Sequence, residues 1–163
     1  MSNLLALNRD WKIRELCDLE PREMRVLLNI GSYMPIKAAD IAYQSRIDSY
    51  NVSRAVKSLQ NKGLIDVQLS EQSRNIKFLV LNEYGIKLYQ QVTEAMSIRA
   101  TELESVLDDN EQALFFQMLE KIENKAEQIL AEQAISKISG GEEAPADQKE
   151  LIRWYNKSNQ KHE

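Results

Sequence analysis

Apolar and polar residues recur at helical spacing through most of the chain and at strand spacing in one short stretch. Helical spacing predicts four short helices before residue 63, the first of them over residues 4–16. Alternating apolar and polar positions predict a β-hairpin over residues 65–81, and two long helices follow it. The predicted order is therefore helix, helix, helix, helix, hairpin, long helix, long helix and tail.

Proline and glycine mark where several of these helices begin and end. Pro21 suits the first turn of the second helix, because the N–H that proline lacks would have no partner there. Gly31 and Ser32 are expected to end that helix, and Gly63 is expected to end the fourth. The fourth helix is therefore predicted over residues 50–62.

The second half of the chain contains two long apolar stripes. One begins at Tyr84, and the other follows an acidic break at residues 108–112 and runs from Phe115 to Ile129. A second copy of the chain could cover them, so they favour a dimer; the alternative is that the two helices pack only on each other. In the tail that follows, the apolar stretch LIRWY either packs against the dimer region or is mobile.

Composition argues against a membrane-spanning or secreted protein. The 163 residues are 43% apolar and 28% charged, which is ordinary for a soluble globular protein. No apolar run approaches the roughly 18 residues of a membrane helix. The N-terminus lacks a signal-peptide pattern, and the single Cys17 cannot form an internal disulfide. We expect a cytoplasmic protein without a membrane partner.

The sequence offers no set of residues for catalysis or for metal binding. His162 is the only histidine and is next to last in the chain, so there is no histidine-based triad and no zinc site. The glycine-rich loops that bind nucleotide phosphates are also missing. Cys17 is expected to fill a small apolar space, with a redox-sensing thiol as the alternative. We therefore expect no enzyme, no cofactor and no metal.

Basic residues concentrate in one part of an otherwise acidic chain. Residues 36–77 hold seven Lys/Arg and four Asp/Glu, a net charge of +3, so the remainder of a chain whose net charge is -4 carries -7. A basic surface on an acidic body indicates contact with a polyanion such as nucleic acid. Chance clustering is the alternative.

The predicted helix over residues 50–62 has two chemically different faces. The apolar face can pack on the preceding helices and consists of Val52, Ala55, Val56 and Leu59. The polar face, with Asn51 at its edge, consists of Tyr50, Ser53, Arg54 and Lys57. Arginine and asparagine can pair with purine edges, serine and lysine can hold phosphates, and an α-helix fits the major groove of DNA. The polar face thus predicts a DNA-reading helix, with a solvated surface as the alternative.

Helix, turn, polar-faced helix and hairpin, in this order, form a winged helix-turn-helix, which is a DNA-binding arrangement. Four stretches carry a closer likeness: the Pro21-led helix, DIA at 40–42, VSRAVKSLQNKGLI at 52–65 and LNEYG at 81–85. In order and spacing they resemble the MarR family of transcriptional regulators over about residues 18–130. LNEYG is similar to the family's Leu-Thr-x-x-Gly, which opens the long dimerisation helix.

The resemblance implies a mostly α fold with a small β-wing, in which a winged helix-turn-helix domain joins a long-helix dimerisation region. It divides the chain into an N-terminal dimerisation helix (1–17), a winged helix-turn-helix domain (18–82), long dimerisation helices (83–139) and a linker with a C-terminal tail (140–163). It also implies a homodimer on a pseudo-palindromic operator in double-stranded DNA. Family members are mostly repressors, and many release DNA when a small aromatic or anionic effector binds. A dimeric adaptor that binds protein through the winged domain is the alternative function.

The helix faces and the resemblance together give the candidate site residues. The residues expected to contact DNA are Lys37, Arg46, Ser49, Tyr50, Asn51, Ser53, Arg54, Lys57, Arg74 and Lys77. The residues expected to line an effector pocket, or else to belong to the plain core, are Trp11, Arg14, Tyr33, Met34 and Met96.

Two segments, the wing and the turn of the helix-turn-helix, depart from the family pattern where DNA contact is expected. The family's wing usually carries Asp-x-Arg, but these positions hold Ser73 and Asn75, with Arg74 between them. Either the wing is shorter by one residue, or Arg74 and Lys77 make the minor-groove contact in another way. Arg46 stands where the turn of the helix-turn-helix often has glycine.

Overall fold

The computed structural model of the chain describes residues 10–69, 76–143 and 146–159. These residues fall into two compact units, one that ends at Leu103 and one that begins at Glu104. The first unit contains, in order, α1 (Trp11–Leu16), α2 (Pro21–Tyr33), α3 (Ala38–Ser45), α4 (Ser49–Asn61), β1 (Ile65–Leu69), β2 (Lys77–Leu81) and α5 (Glu83–Glu104), whose last residue belongs to the second unit. The second unit contains α6 (Asp109–Ser139) and α7 (Ala146–Asn159).

The predicted fold class is confirmed, since helices dominate and two antiparallel strands form a small sheet. Residues 4–9 of the first predicted helix lie outside the described residues, and α1 begins at Trp11. Asp10 caps this helix and forms an ion pair with Arg99 of α5 at 3.2 Å, so α1 is held against α5. None of the helices in the described part of the chain is long and apolar enough to cross a lipid bilayer.

The core of the first unit forms where α2, α3 and α4 meet. Its described residues without exposed surface are Val26, Leu27, Ile30, Ile41, Ala42, Val52 and Leu59. Each large apolar side chain that is fully buried contributes about 1.5–3 kcal/mol relative to an exposed one. The periodic apolar positions of the sequence therefore face one another in the folded chain.

The prediction that α2 ends at Gly31 and Ser32 is wrong, because the helix continues to Tyr33. A side chain at Gly31 would collide with the ring of Tyr89 on α5. The hydroxyl groups of Ser32 and Tyr89 also lie 3.2 Å apart. Gly31 thus serves the close approach of two helices and does not terminate one.

The predicted hairpin is confirmed, with Ile65 opposite Leu81 and Leu69 opposite Lys77. Ile36, in the segment between α2 and α3, exchanges two backbone hydrogen bonds with Leu79, at 3.2 and 2.8 Å. The wing is therefore held to the helical part of the unit by these two hydrogen bonds, in addition to its covalent connections to α4 and α5.

The hairpin leads directly into α5 through a tight contact at residues 82–85. Asn82 caps α5 by accepting the backbone N–H of Gly85 at 3.0 Å, and its amide nitrogen donates to the carbonyl of Gly63 at 2.9 Å. A side chain at Gly85 would collide with the carbonyl oxygen of Leu64. This contact explains why LNEYG ends in glycine and why asparagine can stand in the threonine position.

In the second unit, the predicted break at residues 108–112 is the start of α6. The carboxylate of Asp108 accepts the N–H groups of Asn110 and Glu111, and Glu111 accepts the N–H of Asp108 at 2.9 Å. The predicted linker and tail contain a further helix, α7, whose Trp154 is buried where α7 packs on α6. The few clustered apolar residues of this segment gave no helical period by which to predict it.

Glu23, at the start of α2, is buried and holds the end of α4. Its carboxylate accepts Lys62 Nζ at 2.7 Å and the N–H of Glu20 at 3.0 Å, and Lys62 also donates to the carbonyl of Asp18 at 2.6 Å. Burial raises the pKa of Glu23, but the hydrogen bonds from Lys62, Ser58 and Glu20 outweigh it and lower the pKa below its ordinary 4.5. The charged form therefore stabilises the fold.

We expect Glu23→Gln to lower the free energy of unfolding by about 1–2 kcal/mol at pH 7, because a charge-assisted hydrogen bond is lost. A carboxyl whose folded pKa is depressed stabilises above its unfolded pKa, and this stabilisation is lost as pH falls through the folded pKa. The difference between wild type and variant should accordingly shrink below pH 4.5. Urea unfolding at pH 7 and at acidic pH, at equal protein concentration, measures it.

Glu15→Gln is the matched control, since Glu15 is exposed on α1. It should change the free energy of unfolding by less than about 0.5 kcal/mol at either pH. A loss for Glu23→Gln that is the same at both pH values would contradict the assigned role of its carboxylate.

Candidate nucleic-acid interface

The turn between α3 and α4 is made by Arg46 in a left-handed conformation. Its φ of 52° is one that glycine adopts most easily, which explains the glycine that related turns often carry. The guanidinium of Arg46 folds back over Tyr43, 4.6 Å from the ring centroid, and donates to the Tyr43 carbonyl at 2.9 Å. Arg46, which stands where such turns often have glycine, thus makes local contacts that stabilise the turn.

Asp48 begins α4 by capping it. Its carboxylate accepts the backbone N–H of Asn51 at 2.9 Å, so α4 starts at Ser49, one residue before the predicted start. The backbone and then the side chain of Asn51 lower the pKa of Asp48 below its ordinary 3.8. The cap therefore stays charged at neutral pH and complements the positive end of the helix dipole.

The two faces of α4 lie as predicted. Val52, Ala55 and Leu59 are buried in the core, whereas Val56 is partly exposed. The residues that the opposite face exposes are Tyr50, Ser53, Arg54 and Lys57. The Arg54 guanidinium lies 5.7 Å from the centroid of the Tyr50 ring, so an arginine and a phenol sit together at the centre of this face.

The remaining candidates lie around the same helix-turn-helix. Lys37 is the N-cap residue of α3, and its ammonium lies 5.6 Å from the Phe78 ring on β2. Lys77 is the exposed first residue of β2, and Ser49 is the exposed first residue of α4. Arg74 lies outside the described residues, so the identity of the wing arginine stays a prediction.

Two arginines of α2 that were not among the predicted site residues join this surface. Arg22 donates to the side-chain oxygen of Asn51 at 2.6 Å, and Arg25 donates to the Ser45 carbonyl at the end of α3 at 3.4 Å. Both are exposed. Their i, i+3 spacing opposite the buried Val26 was the available signal, and it places them on one face of α2.

The candidate effector residues are not all brought together. Trp11 and Arg14 form a cation–π pair with the guanidinium 5.3 Å from the ring centroid, and Trp11 is 67% exposed. Met96 packs against a buried cluster of Ile13, Met24 and Val92. Tyr33 and Met34 lie at the far end of α2, where the Met34 sulfur accepts the Leu81 N–H at 3.5 Å. An effector pocket therefore stays a prediction.

Cys17 is half-buried beside the cluster of Ile13, Met24 and Val92. Burial raises the pKa of its thiol, which disfavours the reactive thiolate. Within residues 10–69, 76–143 and 146–159, no group of three or more His, Cys, Asp or Glu side chains is placed to hold a metal ion.

Comparison with known proteins points to one family. A family model described as MarR family matches residues 18–74. An HTH-type transcriptional regulator of Bacillus cereus is 24% identical over 111 residues, which cover 68% of this chain and 74% of that protein. A MarR/EmrR family transcriptional regulator from Acinetobacter sp. ADP1 is 25% identical, with a TM-score of 0.69 over 77% of this chain and 89% of that chain.

A structure of the S. aureus MepR-DNA complex has the same fold, with a TM-score of 0.64 and 22% identity over 72% of this chain and 86% of that chain. The residues that the family model matches include α2, α3 and α4, which carry most of the exposed face described above. Over these residues the chain is similar to the MarR family, and its Bacillus and Acinetobacter relatives are named as transcriptional regulators.

Proposed function

We propose that the protein is a cytoplasmic, homodimeric repressor that binds a pseudo-palindromic operator in double-stranded DNA. The observation that carries this proposal is the row of Tyr50, Ser53, Arg54 and Lys57, which is exposed because the opposite side of α4 is buried. The row lies on one α-helix, which fits the major groove, and offers donors suited to base edges and phosphates. The likeness to MepR, which was solved with DNA, supports the same use of the fold.

Binding to the DNA upstream of the protein's own gene is the first test of this proposal. We expect tight binding that survives an excess of unrelated duplex, because base contacts add to phosphate contacts. The affinity should fall steeply with salt, with a logarithmic slope of roughly -0.9 per phosphate contacted. Fluorescence anisotropy with a labelled duplex at two or more salt concentrations measures both.

Binding that competitor abolishes would place the operator elsewhere in the genome, and a selection from random duplexes then supplies the site. No binding to any duplex at low salt would contradict the proposal. In that case the winged domain would be an adaptor for a protein partner, since protein contacts do not require the steep salt dependence of phosphate binding.

Arg54 is expected to contribute base specificity. Arg54→Ala should cost about 1–3 kcal/mol at the operator and relax discrimination at one base pair, because a bidentate contact to guanine is lost. Arg54→Lys is the matched control: it keeps the charge but not the planar fork of donors. We expect the lysine variant to keep the wild-type salt slope and still lose the discrimination. Equal affinities of wild type and Arg54→Ala for the operator would argue against α4 as the reading helix.

The apolar surface of α6 supports a homodimer. Large apolar side chains, all at least 39% exposed, lie along this helix at Leu114, Phe115, Phe116, Met118, Ile122, Ile129, Leu130, Ile135 and Ile138. Exposed apolar area of this extent is characteristic of an interface. A two-fold dimer would present two copies of α4, which suits half-sites spaced by about 34 Å of duplex.

Ile122→Glu should raise the dimer dissociation constant by about a hundredfold or more, because an unpaired carboxylate would have to be buried in the interface. Asn124→Glu introduces the same side chain two residues away, where the helix faces about 200° from Ile122. It should leave the dimer intact. Sedimentation velocity across a dilution series distinguishes the two variants, and identical behaviour of both would contradict this interface.

The pair of Trp11 and Arg14 supports the proposal of a small aromatic or anionic effector. An exposed indole beside a guanidinium can stack on a ring and neutralise a carboxylate. In the anisotropy assay, such a ligand would release the labelled duplex. Trp11 is one of two tryptophans, the other being the buried Trp154, so binding at Trp11 is also visible as fluorescence quenching.

A further inference from the structure

A chain of hydrogen bonds joins α2 to the first turn of α4. The Arg22 guanidinium donates to Asn51 Oδ1 at 2.6 Å. Asn51 Nδ2 donates in turn to one carboxylate oxygen of Asp48, whose other oxygen accepts the Asn51 backbone N–H at 2.9 Å. Arg22 is exposed, and among the described residues it donates to Asn51 alone.

This chain of hydrogen bonds occupies both ends of the Asn51 amide. An asparagine that reads adenine must offer its oxygen and its nitrogen to the base at the same time. Here Arg22 holds the oxygen and Asp48 holds the nitrogen. One acceptor position and one N–H of the amide are therefore engaged within the protein, which fixes the orientation of the Asn51 side chain.

The position of Asn51 also bears on Arg54, because residues three apart are neighbours on a helix surface. The Arg54 guanidinium lies against the Tyr50 ring, 5.7 Å from its centroid. An Asn51 oxygen released from Arg22 would be an acceptor within one helical turn of that guanidinium. It would compete with DNA for the donors of Arg54.

We propose that Arg22 is a positioning residue for DNA reading, which holds Asn51 so that Arg54 remains on Tyr50 with its donors directed to the base. The proposal rests on the proposed operator binding. It assigns Arg22 an effect on specificity, whereas an arginine that only contacts phosphate strengthens binding to all sequences alike. The two roles are separable by experiment.

The test compares Arg22→Ala, Asn51→Ala, the double variant and wild type on the operator and on an unrelated duplex. Arg22→Ala should reduce the ratio of the two affinities by about fivefold to tenfold, the size of an ordinary coupling between contacting side chains. Asn51→Ala removes the competing oxygen and should leave the ratio near that of wild type. The double variant should therefore recover most of the ratio that Arg22→Ala loses.

Arg25→Ala is the matched control, since Arg25 lies on the same face of α2 but donates to the Ser45 carbonyl. It should weaken both duplexes by a similar factor and leave the ratio unchanged. Arg22→Ala behaving like Arg25→Ala would overturn the proposal. So would a double variant that is worse than either single variant, because Asn51 would then be a direct reader.

The side-chain amide signals of Asn51 in a ¹⁵N–¹H spectrum test the same contact without DNA. Arg22→Ala should shift them and Arg25→Ala should not, and an unchanged position in both variants would overturn the proposal. If these signals respond as expected while wild type prefers no duplex, the proposed operator binding is contradicted, but the hydrogen bonds of Arg22, Asn51 and Asp48 are supported. In that case the proposed effect of Arg22 on DNA specificity is contradicted as well.

Discussion

The burial of one side of α4 against α2 and α3 determines what the protein can present to a partner. Val52 and Leu59 have no exposed surface, and Ala55 has 4%. Removing the two larger side chains from water contributes about 1.5–3 kcal/mol each, more than any rearrangement of exposed side chains could return. Because the helix advances 100° per residue, this burial turns Tyr50, Arg54 and their neighbours outward. The exposed polar face of α4 is thus a consequence of the core.

The charge of the chain constrains how that face can work. The protein as a whole is acidic, at -4, and DNA phosphates repel it except where basic side chains meet them. Charges farther away than about 8 Å are largely screened at physiological salt. In the proposed operator complex, affinity would therefore come from a small local surface, where base contacts would carry a large share. Under this constraint, the orientation of a single guanidinium such as that of Arg54 matters more than it would in a strongly basic protein.

Features set by burial could be predicted from the sequence, and features set by contacts between distant residues could not. The apolar periods of α2 and α4 identified these helices because burial imposes the period. The alternation also located the hairpin, although Val67 and Leu69 of β1 are exposed. The role of Gly31 depends on Tyr89 of another helix, and no local pattern reveals it. The apolar residues of α7 are too few to set a period. The polar face of α4 was predictable, but the ties of Asn51 to Arg22 and Asp48 needed the geometry.

The first turn of α2 holds α4 at both ends through two adjacent residues. Arg22 donates to Asn51 at the start of α4, and Glu23 accepts from Lys62, the C-cap residue of α4. Apolar packing between the two helices is not directional and would tolerate sliding, whereas these hydrogen bonds weaken steeply with distance and angle. Sliding of α2 along its axis would strain both bonds together. Since Ile13 of α1 packs in the same cluster as Met24 of α2, a displacement of α1 that carries α2 with it would reach α4 through these two charged contacts.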